Sequence, residues 1–326
     1  AGYPCTRIPS ITLIANGSLL ALAEGRHYTG DGCVPANVTF PTEPGATTKD
    51  IVSKVSNDGG ATWGPLKLVV PNAGQPTVVW DAVRDTVVLS YTQISPAGSF
   101  QVTSVDGETW STPASLATFL GPNNGAEVGP GVGLQLSPQH PVAPGRLLFI
   151  GHEGAYQKDV VFYSDDGGKT YKVAAPLLEH MDEAQLVELP QSGLVMANMR
   201  NDHFNKTCDC RGLALSKDGG ATFGPIFYNP DLVSPVCQAS TMSYGASLYF
   251  SNPNTTSGRF HGVVKKSTDD GATWSPLVEV TNSTEGFAYS CLTKVPTAGK
   301  LGLLFETGAP NCVGQSCRTV FTVFDA

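Results

Sequence analysis

The sequence predicts an all-β fold, a six-bladed β-propeller, on three observations. A turn-forming pattern recurs five times, its copies are spaced by about one propeller blade, and the apolar runs between them have strand chemistry. The pattern is Ser-x-Asp-x-Gly-x-Thr-aromatic. It reads SNDGGATW from Ser56, SDDGGKTY from Ser164, SKDGGATF from Ser216 and STDDGATW from Ser267, with a copy one residue shorter, SVDGETW, from Ser104. Successive copies start 48 to 60 residues apart. Dividing 326 residues by six gives units of roughly 54, the size of a four-stranded blade.

Each copy explains itself as a hairpin turn. Its glycines can take positive φ, its aspartate can accept hydrogen bonds from the turn's own amides, and its aromatic can pack into the blade. These aspartates are therefore structural, and the turns are expected on the rim, away from the axis. One of six blades should lack the pattern. Gln75–Trp80 and Thr86–Tyr91 read as two strands of that blade. The 36 glycines and 24 prolines suit many turns, and Val, Thr and aromatic residues dominate the apolar runs. No long segment has helical periodicity, and no linker-like composition divides the chain, so residues 1–326 are read as one domain.

Net charge is −8 and no basic stripe is present, which argues against nucleic acid as a partner. No apolar stretch is long enough to span a bilayer, and the AGYPC start carries no signal-peptide features, so a leader is expected to have been removed or trimmed. Eight cysteines and five N-x-S/T sequons, at Asn16, Asn37, Asn205, Asn254 and Asn282, favour a secreted or lysosomal/vacuolar glycoprotein with disulfides. The spacings Cys208-Asp209-Cys210 and Cys312 to Cys317 do not suit a zinc site. Cys312 and Cys317 could close a local disulfide. Cys5 and Cys33 could pair if both flank one cleft.

The repeats resemble the Asp boxes (BNR repeats) of the sialidase superfamily, and other segments strengthen the resemblance. Thr6-Arg7-Ile8-Pro9 is similar to that family's F/Y-R-I-P motif, with Thr replacing the aromatic. Gly17 to Arg26 is similar to its G-x-L-L-A-x-x-E-x-R. GRLLFIGH at 145–152, DEAQLVELP at 182–190, NMRND at 198–202, FSNPN at 250–254 and FETG at 305–308 make the likeness greatest to lysosomal-type animal sialidases.

The resemblance implies an exo-α-sialidase, a retaining glycoside hydrolase that removes terminal α-ketosidically linked sialic acids from glycoproteins, glycolipids and oligosaccharides. It implies no cofactor and no metal. Sialic acid carries a carboxylate on its anomeric carbon, and arginine forks match carboxylates bidentately. By motif the three arginines of the clamp fall on Arg7, Arg200 and Arg259, with Arg26 beside O4 of the sugar. Tyr289 in GFAYSCL matches the nucleophile, since a neutral phenol is not repelled by the substrate anion and sialidases are the known Tyr-nucleophile exception among glycosidases. A phenol near pKa 10 needs a base. Glu183 matches it, with Asp182 as its rival. The acid matches Asp31, five residues after Arg26, with Asp50 as the competitor when the long loop 32–49 is aligned from its other end. Glu306 matches the carboxylate that holds the first arginine, and Gln75 falls where relatives place a polar residue toward O4 and the acyl group.

Other readings share these residues. A lectin-like propeller without activity would keep the boxes but has no use for Arg7, Arg200, Tyr289 and Glu183 together. An enzyme preferring deaminated sialic acid (KDN), or one transferring the sugar to an acceptor, would keep the same clamp and nucleophile.

Overall fold

The computed structural model describes residues 2–28, 48–154, 157–202, 208–308 and 318–326. Strands dominate it. The helical content of the described residues is one turn of α-helix, Ala117–Leu120, followed by a 3-10 turn, Gly121–Asn123. Six antiparallel sheets follow one another along the chain as the blades of a β-propeller.

Blade 1 is Cys5–Leu13, Leu19–Arg26, Lys49–Ser56 and Lys67–Val70, paired in that order from the axis outward. Blade 2 is built from Ala73–Asp81, Thr86–Gln93, Gly98–Ser104 and Ala114–Ser115, and blade 3 centres on Leu147–Glu153 and Lys158–Ser164. Blade 4 is Asp182–Glu188, Val195–Arg200, Cys210–Ser216 and Phe227–Val233. Blade 5 is Ser240–Tyr244, Ser247–Pro253, Gly262–Ser267 and Ser275–Glu279. Blade 6, Ser290–Lys294, Lys300–Thr307 and Arg318–Asp325, has three strands among the described residues rather than the expected four.

Blade 6 is also the blade without a box. The expectation that residues 75–91 form the boxless blade is therefore corrected. Their strands belong to blade 2, whose third strand ends at Ser104, the first residue of the short copy SVDGETW. The short copy still closes its turn. Asp106 accepts from the amides of Glu108 and Thr109 at 2.8 and 2.7 Å.

The blades cohere because their central strands are apolar on both faces. Successive residues point to opposite sides of a strand, so each pair of neighbours feeds two interfaces. Val78 and Val87 pack toward blade 1 while Val79 and Val88 pack toward blade 3. Leu147 faces blade 2 and Leu148 blade 4. Met196 and Leu248 join blades 4 and 5, and Tyr249 and Leu303 join blades 5 and 6. Ile11 and Leu19 meet Cys291 and Leu304 to close the ring between blades 6 and 1. Each fully buried aliphatic side chain contributes about 1.5–3 kcal/mol, repeated around six interfaces.

The box turns lie between third and fourth strands and lock each blade to the one before it. A Cβ on Gly220 would meet Leu148 of blade 3, and one on Gly60 would meet Phe321 of blade 6. Both have positive φ, 84° and 96°, so glycine is required there for conformation and for approach. Within each box the serine hydroxyl donates to the aspartate and accepts from a glycine amide. Ser216 Oγ is 2.7 Å from Asp218 Oδ1 and 2.8 Å from the Gly220 amide.

One segment closes the axis. Gly131–Val132 pairs in parallel with Ala73–Asp81, Ser10 Oγ donates to the Gly131 carbonyl, and Gln185 and Gln238 donate to that of Pro130. Gly131 has φ 123°, and a Cβ there would collide with Gln185. This plug is drawn from residues contacting blades 1, 2, 4 and 5. It separates the cavity at one end of the axis from a cleft at the other end.

The disulfide expectation holds in part. Cys208 and Cys210 are bonded to each other, with Cα atoms 5.2 Å apart, and Cys5 is also disulfide-bonded. Its suggested partner Cys33, and the pair Cys312–Cys317, lie outside the described residues. Cys237 and Cys291, by contrast, are free and buried. Burial pushes the Cys291 thiol up to about 12, so it behaves as a small apolar core residue.

Candidate active site

At one end of the axis a cavity of about 360 Å3 is lined by Arg7, Arg26, Lys49, Arg200 and Arg259, with Glu127, Asp182 and Glu183, and with Gln75, His152 and Tyr289. A rim cleft of about 330 Å3 between blades 1 and 6 has a single charged lining residue, Lys54.

Most of the cavity residues, and the groups that support them, come from two kinds of position. The starts of innermost strands supply Arg7, Gln75 and Glu183, and Tyr289 directly precedes the innermost strand of blade 6. The ends of second strands supply Arg26, His152, Arg200 and Glu306. Three innermost strands are irregular at these residues, with register shifts between Arg7 and Ser10, Gly74 and Thr77, and Asp182 and Ala184. A bulge re-aims side chains that a regular pleat would send into a blade interface. Two of them also hold non-glycine residues at positive φ, Ile8 at 61° and Gln75 at 57°. For a β-branched residue this is a strained conformation. The Ile8 amide is held by Glu306 Oε1 at 2.7 Å.

Glu306, wholly buried, accepts two hydrogen bonds from Arg7, from Nε and Nη2, each at 3.1 Å. It thus orients both the arginine and the backbone beside it. Arg26 is held the same way by buried Glu24, whose Oε2 accepts from Nε and Nη2 at 2.9 and 2.7 Å. Glu24 Oε1 takes Lys49 Nζ at 2.6 Å and the Gln75 amide at 3.0 Å. The side chain of Gln75 donates to Glu127 Oε2 at 2.8 Å.

Arg7, Arg200 and Arg259 converge on Tyr289. The guanidinium carbons of Arg7 and Arg259 lie 4.9 and 5.4 Å from its ring centroid. Arg200 Nη1 lies 3.4 Å from its hydroxyl and donates to Glu183 Oε2 at 2.6 Å. The Tyr289 hydroxyl donates to Glu183 Oε1 in a short hydrogen bond. Burial, then the Glu183 charge, push the Tyr289 phenol well above its ordinary value, against the pull of the three arginines. The ring is therefore neutral at rest, with a carboxylate already on its proton. Burial works against the charge of Arg200, but the carboxylates around it, Glu183 first, outweigh it and hold the guanidinium charged.

Asp182, the rival to Glu183, makes no bond to Tyr289. Its carboxylate meets His152 Nδ1 at 3.0 Å and Arg200 Nη1 at 3.6 Å. Asp50, the rival to Asp31, is the second residue of the third strand of blade 1 and does not line the cavity. It is taken up by the Tyr3 hydroxyl, His27 Nε2 and the Asn72 amide, at 2.8, 2.8 and 2.9 Å. Asp31 itself lies outside the described residues.

Glu24, Asp202, Lys49, Glu127, His152 and Arg211 were not singled out from the sequence. Glu24 and Asp202 carried a usable signal, since each is two residues from an arginine of the cavity and so shares its strand face or continues it. Arg211 carried none. It is fully buried, donates to Asn198 Oδ1 at 2.7 Å and the Cys237 carbonyl at 2.8 Å, and reaches the Glu183 carbonyl at 3.4 Å. It braces the backbone behind the Glu183–Tyr289 pair.

Residues 43–303 match the family described as BNR repeat-like domain. A sialidase of Micromonospora viridifaciens is 30% identical over 94% of this chain and 50% of its own length. A sialidase of Bacteroides fragilis is 26% identical over 96% of this chain and 62% of its own. The chain thus spans half to two thirds of these relatives. Among solved structures, the Hadza microbial sialidase Hz136 superposes with a TM-score of 0.76 at 24% identity, over 98% of this chain and 66% of that one. A leech intramolecular trans-sialidase, complexed with 2,7-anhydro-Neu5Ac, does so at 0.77 and 17% identity, over 98% and 68%. The five boxes, the six blades and the match over 43–303 together mean that this chain belongs to the BNR-repeat family, in the Asp-box sialidase superfamily.

Proposed function

We propose that the protein is an exo-α-sialidase, a retaining glycoside hydrolase acting on terminal sialic acids of glycoproteins, glycolipids and oligosaccharides, with residues 1–326 as one catalytic unit. The observation that carries the proposal is the Tyr289–Glu183 hydrogen bond set among Arg7, Arg200 and Arg259. A carboxylate nucleophile there would face the substrate's own carboxylate. A phenol does not, and the arginines that receive the substrate anion also stabilise negative charge developing on the phenol oxygen.

In this mechanism the sugar carboxylate docks on the three guanidinium groups. Glu183 takes the Tyr289 proton as the phenol oxygen bonds to the anomeric carbon and the bond to the aglycone oxygen breaks. Asp31 gives the departing oxygen its proton. Asp31 then takes a proton from water, the water oxygen displaces the phenolate, and Glu183 returns the proton to Tyr289. Two inversions give net retention. Arg26, oriented by Glu24, is assigned to O4, and Gln75 to the neighbouring polar groups of the sugar. A secreted or lysosomal/vacuolar location fits the exposure of the sequon residues Asn16 and Asn282. NMR of the sugar first released from an α-sialoside tests the mechanism. The α anomer should appear before mutarotation, and a β anomer appearing first would exclude Tyr289 as nucleophile.

A further inference from the structure

Behind the clamp lies a second group of charges that the proposed reaction does not use. His152 ends the second strand of blade 3 and lines the cavity, with a side chain 12% exposed. Its Nδ1 lies 3.0 Å from Asp182 Oδ1, an oxygen that also accepts from the Glu183 amide at 2.8 Å. The groups around it come from several elements. Asp159 is its partner across the neighbouring strand and Glu127 its partner on the other side. Asp182 and Glu183 approach from blade 4, with Arg200 and Asp202 behind them.

The carboxylates outnumber the cations. Around Arg200 stand Glu183 at 2.6 Å, Asp202 at 3.4 Å and Asp182 at 3.6 Å. A guanidinium so surrounded has little attraction left for an incoming anion. The structure relieves this in two ways. Burial, with the negative charge of Asp182 nearby, pushes the Asp202 carboxyl up to about 7 although Arg200 pulls it down, so Asp202 holds a proton through the acidic range. Asp182 stays ionised, and its counter-charge is His152.

We propose that His152 is a positioning residue for the clamp: as a cation against Asp182 it keeps that carboxylate from closing on Arg200, which leaves Arg200 to Glu183 and to the substrate carboxylate. The proposal rests on reading the cavity as a sialoside site. Without the imidazolium, the nearest cation to Asp182 is Arg200, already 3.6 Å away, and a buried carboxylate moves to its counter-ion. The substrate anion would then compete with a resident one. Burial disfavours the imidazolium, but Asp182 first, then Glu183 and Asp159, raise its pKa to about 9. The device therefore operates through neutral pH and fails in the alkaline range.

Three measurements test this. NMR titration of the His152 ring should give a pKa near 9, falling by at least about one unit in Asp182→Asn as the pair is lost. His152→Gln should raise KM for a sialyl-lactose about tenfold with kcat within about threefold, and should abolish the rise in KM that the wild type shows above pH 9. His152→Lys, which keeps a cation, should recover part of the loss. In the Asp182→Asn background His152→Gln should add little, because the carboxylate it restrains is gone. A His152 pKa near 6.5, an unchanged KM, or a full His152→Gln effect persisting in Asp182→Asn would each overturn the proposal, the last by making His152 a direct ligand of the sugar. A raised His152 pKa in a protein that neither binds nor cleaves sialosides would place the failure in the sialidase reading instead.

Discussion

Carboxylates occupy two regions of this propeller, and the same functional group behaves in opposite ways in them. On the rim, the aspartate of each box is at least partly exposed and saturated by its own turn. Asp218 accepts from the Ser216 and Thr222 hydroxyls and from the Ala221 and Thr222 amides, all within seven residues of sequence. On the axis, Glu24, Glu183 and Glu306 are buried and bonded to cations far from them in sequence or set in bulged strands. The rim buries little charge and needs no partner from another blade. The axis gathers at least five cations and as many carboxylates into one largely buried space, where each depends on the others. Stability is thus local and repeated on the rim, and reactivity is collective at the centre.

The largest expected effect breaks that collectivity at its chemical focus. Tyr289→Phe removes one oxygen and keeps the ring over which Arg7 and Arg259 lie. Turnover of a sialoside should fall by at least about a thousandfold. Melting temperature should change little, since Glu183 keeps its bond to Arg200. Calorimetry with an unsaturated sialic acid analogue should still show binding. Wild-type turnover in this variant would move the chemistry away from Tyr289.

A smaller effect tests whether a buried carboxylate that touches no substrate governs the clamp. Glu306→Gln keeps the shape but leaves Arg7, itself 2% exposed, without the negative charge of Glu306. Stability should drop by about 3 kcal/mol, the scale of a broken buried pair. The ratio kcat/KM should fall by roughly a hundredfold, with much of the loss in KM. Urea unfolding and steady-state kinetics measure both. Loss of stability with unchanged kinetics would make Glu306 a core residue alone.

The same division explains what the sequence disclosed. The boxes were legible because every partner of Asp58 or Asp218 lies within a few residues, so the pattern contains its own physics. The strands were legible from their paired apolar residues, such as Val78 and Val79. Blade 2 was misread because a box follows the third strand of its own blade, so the copy at Ser104 belongs to the strands before it, 75–91 included. At the axis, Arg7, Arg200, Arg259, Glu183 and Tyr289 were found through resemblance, since nothing in local spacing places residue 7 beside residue 306. Bulges at Arg7–Ser10, Gly74–Thr77 and Asp182–Ala184 decide which side chains turn inward, and no residue pattern announced them. Arg211 and His152 lie at none of these bulges and were missed for another reason. Each acts through partners on another strand.

The smallest expected effect sharpens the contrast from the rim. Asp218→Ala removes the acceptor of two amides and two hydroxyls. Because the turn is solvent-exposed, water replaces part of what is lost, and stability should fall by only about 1 kcal/mol, roughly 2 °C in Tm for a chain of this size. Activity should stay within about twofold, since the turn lies on the rim. The effect should also depend on pH in a fixed direction. Burial alone would raise the Asp218 pKa, but the Thr222 and Ser216 hydrogen bonds hold it below the ordinary aspartate value. The folded form therefore binds its proton more weakly than the unfolded chain. The contribution of the turn is complete above about pH 4, the unfolded value, and is lost as pH falls through the lower folded value. Asp106 and Asp166, each at about 2, act in the same window. The Tm difference between wild type and Asp218→Ala should hence be full at pH 6 and shrink steadily between about pH 4 and pH 2. A difference that persists undiminished at pH 2, or that appears equally in kcat/KM, would mean that this aspartate does more than close its turn.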